Sequence, residues 1–402
     1  MKKATILITA AILLFVSNVG AQENEIPELR ESNFQFTFMF PPFSTNGVQN
    51  SKTVNRFSLN LFVGNAGGVD GVELGSFINS VNYYVDGFQV AGFGNVVGGS
   101  VIGTQLAGFI NVSGGDTKGF QGAGFMNVAG GDTKGLQGAG FGNVAGGSTQ
   151  GVQLAGFFNV AGGYTRGAQL AGFVSVAGEG LVNAQVSGFC NVAKEINGAQ
   201  LSGFANVAGN VKGIQMAGFI NVCDSIDGVP IGFISVVKKN GYRHFDFSIS
   251  ETQYINFSYR MGVRHFYNIY SIGKPSGPGN RWFYGFGLGT ETDIRDNISM
   301  NLEAIVHQEL WIGDSRTRGL FHIDRLNLLN QFRVLFAYQA NDHLSLYFGP
   351  TLNVAVADIN PDIGDFGWQE IGPNWAFYER TMSNTGRTNV KAWFGITGGI
   401  RL

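Results

Sequence analysis

Gly151-Val152-Gln153-Leu154-Ala155-Gly156-Phe157-Phe158-Asn159-Val160-Ala161-Gly162-Gly163 is one copy of a unit that recurs along much of the chain. Gln89, Gln105, Gln121, Gln137, Gln153, Gln169 and Gln185 lie sixteen residues apart, and Gln200 and Gln215 follow at intervals of fifteen. Phenylalanine keeps the same interval from Phe77 to Phe233, and an amide column runs from Asn79 to Asn221, with Ser175 and Ser235 as exceptions. Eleven such units span residues 71–237. A fixed short period of this kind marks a repeat architecture in which each unit is completed by its neighbours. A first unit with Glu73 in the glutamine column and a last with Val229-Pro230 near it read as modified ends of the stack.

Within the unit, Val152, Leu154, Gly156, Phe158 and Val160 alternate with Gln153, Ala155, Phe157, Asn159 and Ala161, which is the period of a β-strand. The position after the repeated phenylalanine changes in size but is never polar, so it is expected to be shielded from water. Charges fall almost entirely between strands, as in Asp116-Thr117-Lys118, and the Gly162-Gly163 pair is expected to supply positive φ for a tight turn.

Two all-β architectures fit. In a parallel β-solenoid every unit is an equivalent coil, and like residues stack into ladders of amide, phenylalanine and small side chains. In a single large membrane barrel with one strand per repeat, alternate turns face opposite sides of the bilayer, so long and short loops should alternate every 32 residues, and the sequence shows no such alternation. The solenoid is the favoured reading. Strict alternation and an apolar outer face nonetheless match the membrane-strand pattern, which keeps the continuous barrel open. Pairing discriminates the two: a solenoid sets Gln153 beside Gln169, whereas the barrel sets Gln153 nearer Asn143.

The flanks differ from the repeats. From residue 238 to 402 the sequence reads as an antiparallel meander of aromatic strands, with Phe245, Phe247 and Ile249 alternating with His244, Asp246 and Ser248, and with later strands near Leu328–Tyr338, Leu344–Val356 and Val390–Ile400. Residues 22–70 carry a similar alternation in Phe34, Phe36, Phe38 and Phe40 and are expected to contribute strands to the same barrel. Residues 1–21, with Lys2-Lys3, an apolar run and Val19-Gly20-Ala21, have the zones of a secretory signal peptide. The apolar run is too short for an ordinary membrane-spanning helix. A net charge of −2, with 13% charged residues, gives no reason to expect a nucleic-acid partner.

Residues 238–402 resemble the outer-membrane β-barrel proteins of Gram-negative bacteria in their alternating aromatic strands and in the final strand Ala392-Trp393-Phe394-Gly395-Ile396-Thr397. They depart from that pattern in ending Arg401-Leu402 rather than on an aromatic residue. The central block, through Gln105-Leu106-Ala107-Gly108-Phe109-Ile110-Asn111 and its copies, resembles bacterial surface-repeat proteins built on G-x-Q-x-(A)G-x-x-N units. The two resemblances imply an outer-membrane or cell-surface location, lipid of the outer membrane as a partner, and no catalytic residues to carry over.

The sequence offers little chemistry of its own. His244, His265, His307, His322 and His343 lack any metal-ligand spacing, and no glycine-rich stretch has the form of a phosphate-binding loop. Asp358, Asn360, Asp362 and Asp365 approach a calcium loop, but Ile363 stands where glycine is required and Gln369 where the closing glutamate belongs, so the segment reads as a solvated loop. Cys190 and Cys223 lie two repeats apart in different columns, about 10 Å at the usual strand spacing, beyond disulfide reach, and read as small buried hydrophobes. The repeated Gln and Asn could hold sugars along one face, but amide ladders more often satisfy one another. The sequence therefore points to a non-enzymatic structural or ligand-presenting scaffold without cofactor or metal. A transport pore is the alternative should all strands form one barrel.

Overall fold

The computed structural model describes residues 28–39, 43–275, 281–311, 327–341, 343–358, 372–382 and 388–402. The proposed signal peptide, His322 and most of the calcium-like segment lie outside them. The chain divides into two compact units, Met1–Cys223 and Asp224–Leu402.

The first unit is a parallel β-solenoid, and with the last repeat the chain makes about eleven turns at sixteen-residue spacing. Gln153 pairs in register with Gln137 on one side and Gln169 on the other, so the continuous-barrel alternative is wrong. Each regular coil has a long strand such as Thr149–Ala155, a corner at Gly156-Phe157, a short strand such as Phe158–Ala161, and a turn through Gly162-Gly163. Thr149, Gln153, Asn159 and Ala161 are buried inside the coil, while Leu154 faces out and Phe157 is 41% exposed at the corner. The alternation read from sequence therefore holds along the long strand, but Phe157 is turned out at the corner and Val160, expected on the outer face, is buried. The column after phenylalanine is half-buried at Ile110, Met126, Phe158 and Val174, less shielded than its composition suggests.

The core is largely made of amides. Each glutamine donates through Nε2 to Oε1 of the glutamine one coil earlier at 2.7–2.9 Å, from Gln215 back to Gln89. The asparagines run the other way: Nδ2 of Asn79 donates to Asn95 Oδ1, and so on to Asn159, at 2.8–2.9 Å. The second amide hydrogen of each asparagine reaches a carbonyl on the long strand of the next coil, as Asn143 does with Leu154 at 2.7 Å. Buried amides are tolerable only when so paired, and here each coil pairs those of the next. Because the two stacks point in opposite senses, their side-chain dipoles oppose one another. Where the asparagine column holds Ser175, Ser175 Oγ and Asn191 Oδ1 are both left without a hydrogen-bond partner.

Two expectations about this unit need correction. The described strands of residues 22–70 do not join the barrel, because Arg30–Thr37 pairs parallel with Thr53–Asn60, which pairs parallel with Val63–Gly75. Their outward Phe34, Phe36, Phe57 and Leu59 look like membrane strands because the solenoid is itself apolar outside. Glu73 is thus not in the first coil. Positive φ, moreover, falls not on the Gly-Gly pair but on the glycine two residues before each glutamine, with Gly151 at 136° and Asn183 standing in at 102°. The paired glycines answer a different need: a Cβ on Gly162 would lie 2.1 Å from the carbonyl oxygen of Gly146 in the preceding coil.

The second unit contains a closed antiparallel barrel of eight strands. Tyr242–Ser250, Gln253–Val263, Phe266–Pro275, Arg281–Arg295, Ile298–Trp311, Asn327–Asn341 and Leu344–Asp358 follow one another as a meander. Thr388–Arg401 then pairs with Leu344–Asp358 on one edge and, from Asp246↔Arg401 to Ser250↔Thr397, with the first strand on the other. A short strand, Tyr378–Met382, adds to the free part of that closing edge. The last repeat, with strands Ser225–Ile231 and Ile234–Val237, belongs to this unit.

Candidate functional site

Three places gather polar or charged side chains: the inside of the solenoid, its turn edge, and the lumen of the barrel. In the first, the repeated glutamines and nearly all the asparagines have no solvent-exposed surface, so no sugar or other ligand reaches them. The most perturbed group there is Glu73, which occupies the glutamine column and is fully buried. It accepts from Gln89 Nε2 at 2.8 Å, Asn60 Nδ2 at 2.9 Å and Ser58 Oγ at 3.4 Å. Burial nevertheless pushes its carboxyl up to about 7, against those three bonds, which pull it down. Every glutamine donates toward this end of the stack, so its first member needs acceptors only, and a carboxylate supplies them. Asn60 completes the junction by also donating to Asn79 Oδ1 at 2.9 Å. Its amide fills the space left by Gly64, which stands in the asparagine column opposite Asn79.

The turn edge carries the solenoid's exposed charge. Asp116 Oδ1 accepts the backbone N–H of Asp132 at 2.8 Å, and Asp132 Oδ1 that of Ser148 at 2.7 Å, so the acidic side chains are tied into the stack. Lys118 and Lys134 stand side by side in register, as do Gln150 and Arg166. With Tyr164 these residues border a groove of about 310 Å³.

In the barrel, every second residue of each strand points inward, and the lumen is filled by Trp393, Arg260, Arg333, Tyr267 and Phe283. Arg260 pairs with Asp246 and with Glu303, the latter at 2.7 Å. Arg401 pairs with Glu291 at 2.9 Å and Asp246 at 3.3 Å, and Tyr267 donates to Glu303 at 3.0 Å. The glycines of Arg281–Arg295 make room for this packing: a Cβ on Gly289 would lie 2.4 Å from the Tyr267 ring. Outward, the eight strands carry a different set, including Phe247, Ile255, Ile272, Phe336, Phe348 and Phe394, all exposed. A cavity of about 430 Å³ at one mouth is bordered by His244, Arg264, Glu291, Asp293, His343 and Arg401.

His307 lies buried inside the wall, 3.4 Å from Gln253, while His244 and His343 border the mouth cavity. Among the described residues no group of three or more His, Cys, Asp or Glu is placed to hold a metal ion. Cys190 is half-buried and Cys223 is buried. Sequence reasoning missed the ion network because its paired members are 14 to 155 positions apart; the signal available was a charged residue recurring inside otherwise aromatic strands. No family model, curated protein or solved structure matches the chain.

Proposed function

We propose that this protein is a non-enzymatic scaffold of the Gram-negative outer membrane, in which the eight-stranded barrel is the anchor and the repeat array presents its charged turn edge to solution. The observation that carries the reading is the polarity of the barrel: apolar residues outside on all eight strands, and ion pairs, tyrosines and amides inside. In water that arrangement is inverted, whereas in a bilayer it is the expected one. Strands of 9–15 residues suffice to cross the hydrocarbon layer at the usual tilt. A closed barrel also leaves no unpaired sheet edge in lipid.

A conducting role is disfavoured, since eight strands enclose only enough space for side chains and these fill it. Fractionation with surface proteolysis tests the reading. The protein should sediment with outer membranes and migrate on unheated detergent gels as a compact species that shifts on boiling. Recovery in the soluble periplasmic fraction would refute it.

A further inference from the structure

The solenoid is amphipathic about its long axis. At its corner the phenylalanines from Phe77 to Phe219 stack as one column, successive ring centroids 4.8–5.2 Å apart. Most of them are 38–47% exposed. Beside them the outward positions of the long strands carry Leu154, Leu170, Val186 and Met216, each about 40% exposed. On the regular coils, exposed charge is confined to the opposite edge, where Asp116, Lys118, Asp132, Lys134 and Arg166 lie. An apolar strip running the length of an array is far larger than a soluble monomer leaves bare.

We propose that a lipid surface covers this strip: the solenoid lies along the membrane with its phenylalanine edge at the boundary between headgroups and acyl chains. This rests on the barrel being a membrane anchor. Three observations favour lipid over a protein partner. The charges keep to one edge along the array, as in interfacial amphipathic helices. Along the flank the strand backbone is bonded to the neighbouring coils, so the apolar side offers no unpaired N–H or C=O to hydrocarbon. In the barrel unit, Phe233 continues the phenylalanine column in sequence, and its ring lies 5.3 Å from Phe286 and 5.6 Å from Tyr270. Both of these point outward from the barrel wall, the side that meets lipid in an anchored barrel. The phenylalanine edge of that coil is thus already on the lipid-facing side. The apolar exterior also explains why polar amides are packed inside: with lipid outside, ordering the coils falls to hydrogen bonds in the core.

The test uses the unmodified full-length protein, folded into vesicles of phosphatidylethanolamine and phosphatidylglycerol that contain a lipid with a photoreactive diazirine in its acyl chain. Adducts are mapped to single residues by mass spectrometry. The expected result is labelling of outward barrel residues such as Phe336 and Phe348 and, alongside them, of the column from Phe93 to Phe189, with a roughly tenfold excess over Asp116, Lys118, Asp132, Lys134 and Arg166 of the turn edge. Labelling of the barrel without the column overturns the proposal and leaves the anchor standing. Labelling of the barrel without the column, in a protein whose mass in detergent is that of a dimer, overturns it in favour of a second copy. Absence of adducts from the barrel as well refutes the anchor itself, and this proposal falls with it.

Discussion

Replacing Glu73 by glutamine should abolish the pH response of the first coils. The Glu73 carboxyl stands at about 7 in the folded chain against 4.5 for an ordinary glutamate, because burial penalises its charge more than Gln89, Asn60 and Ser58 relieve it. The folded state therefore holds a proton that the unfolded state has released. Stability is highest below pH 4.5, falls as pH rises through the window to about 7, and levels off above it. The gap between the two values is worth about 3 kcal/mol. In Glu73→Gln that slope disappears, but a new amide donor meets Asn60 Nδ2, a donor already 2.9 Å from Glu73 Oε1. Leaving such a pair unmatched costs about 1–3 kcal/mol. The variant should then be less stable than the wild type at pH 5 and equal or superior at pH 8. Hydrogen exchange read by mass spectrometry over residues 58–95, expressed as protection so that intrinsic rates cancel, measures both curves locally. Parallel curves for the two proteins, with no crossing, would refute the argument.

Further outcomes follow from the same core. Ser175→Asn should give the orphaned Asn191 Oδ1 the partner it lacks and remove the unpaired Ser175 hydroxyl, raising stability by about 1 kcal/mol; an unchanged urea midpoint for those coils would count against it. Thr149→Val removes a buried hydroxyl with no partner at a site whose column holds Val101 and Leu181 elsewhere, so a neutral change or a gain of about 1 kcal/mol is expected in thermal unfolding. Asn183→Gly, at φ 102°, should stabilise, whereas Gly151→Ala should destabilise by more, since its Cβ would meet the Gly135 carbonyl at 1.9 Å; opposite shifts in melting temperature are the check. In the barrel, Arg260→Ala takes from Asp246 and Glu303 the cation they share, leaving them only Arg401 and Tyr267, and should cost about 3 kcal/mol, read as a lower urea midpoint of the compact gel species.

The solenoid was legible because its order lies in columns: Gln153 beside Gln169 is the arrangement the spacing demands. The misplaced parts share one physical cause, that a single residue pattern serves two environments. Phe34 and Phe36 alternate as a membrane strand does, yet they lie on a solenoid whose outside is equally apolar, and only the pairing partner Thr53–Asn60 tells the difference. Glycine likewise answers either a positive φ or a close backbone approach. The clue that separates them is Asn183, since asparagine tolerates a left-handed backbone better than other residues with a Cβ. The capping role of Asn60 was hidden because its amide crosses into a column to which its position does not belong.

The opposed amide stacks have one more consequence. An interior coil hands on the same donors and acceptors that it receives, so a block of sixteen residues between Gln89 and Asn159 can be gained or lost without leaving either neighbour mismatched. Each such event moves the two ends of the array by one ring spacing, 4.8–5.2 Å. The array is thus a ruler graduated in coils, able to change length in whole steps, with Glu73 fixing where its glutamine graduations begin.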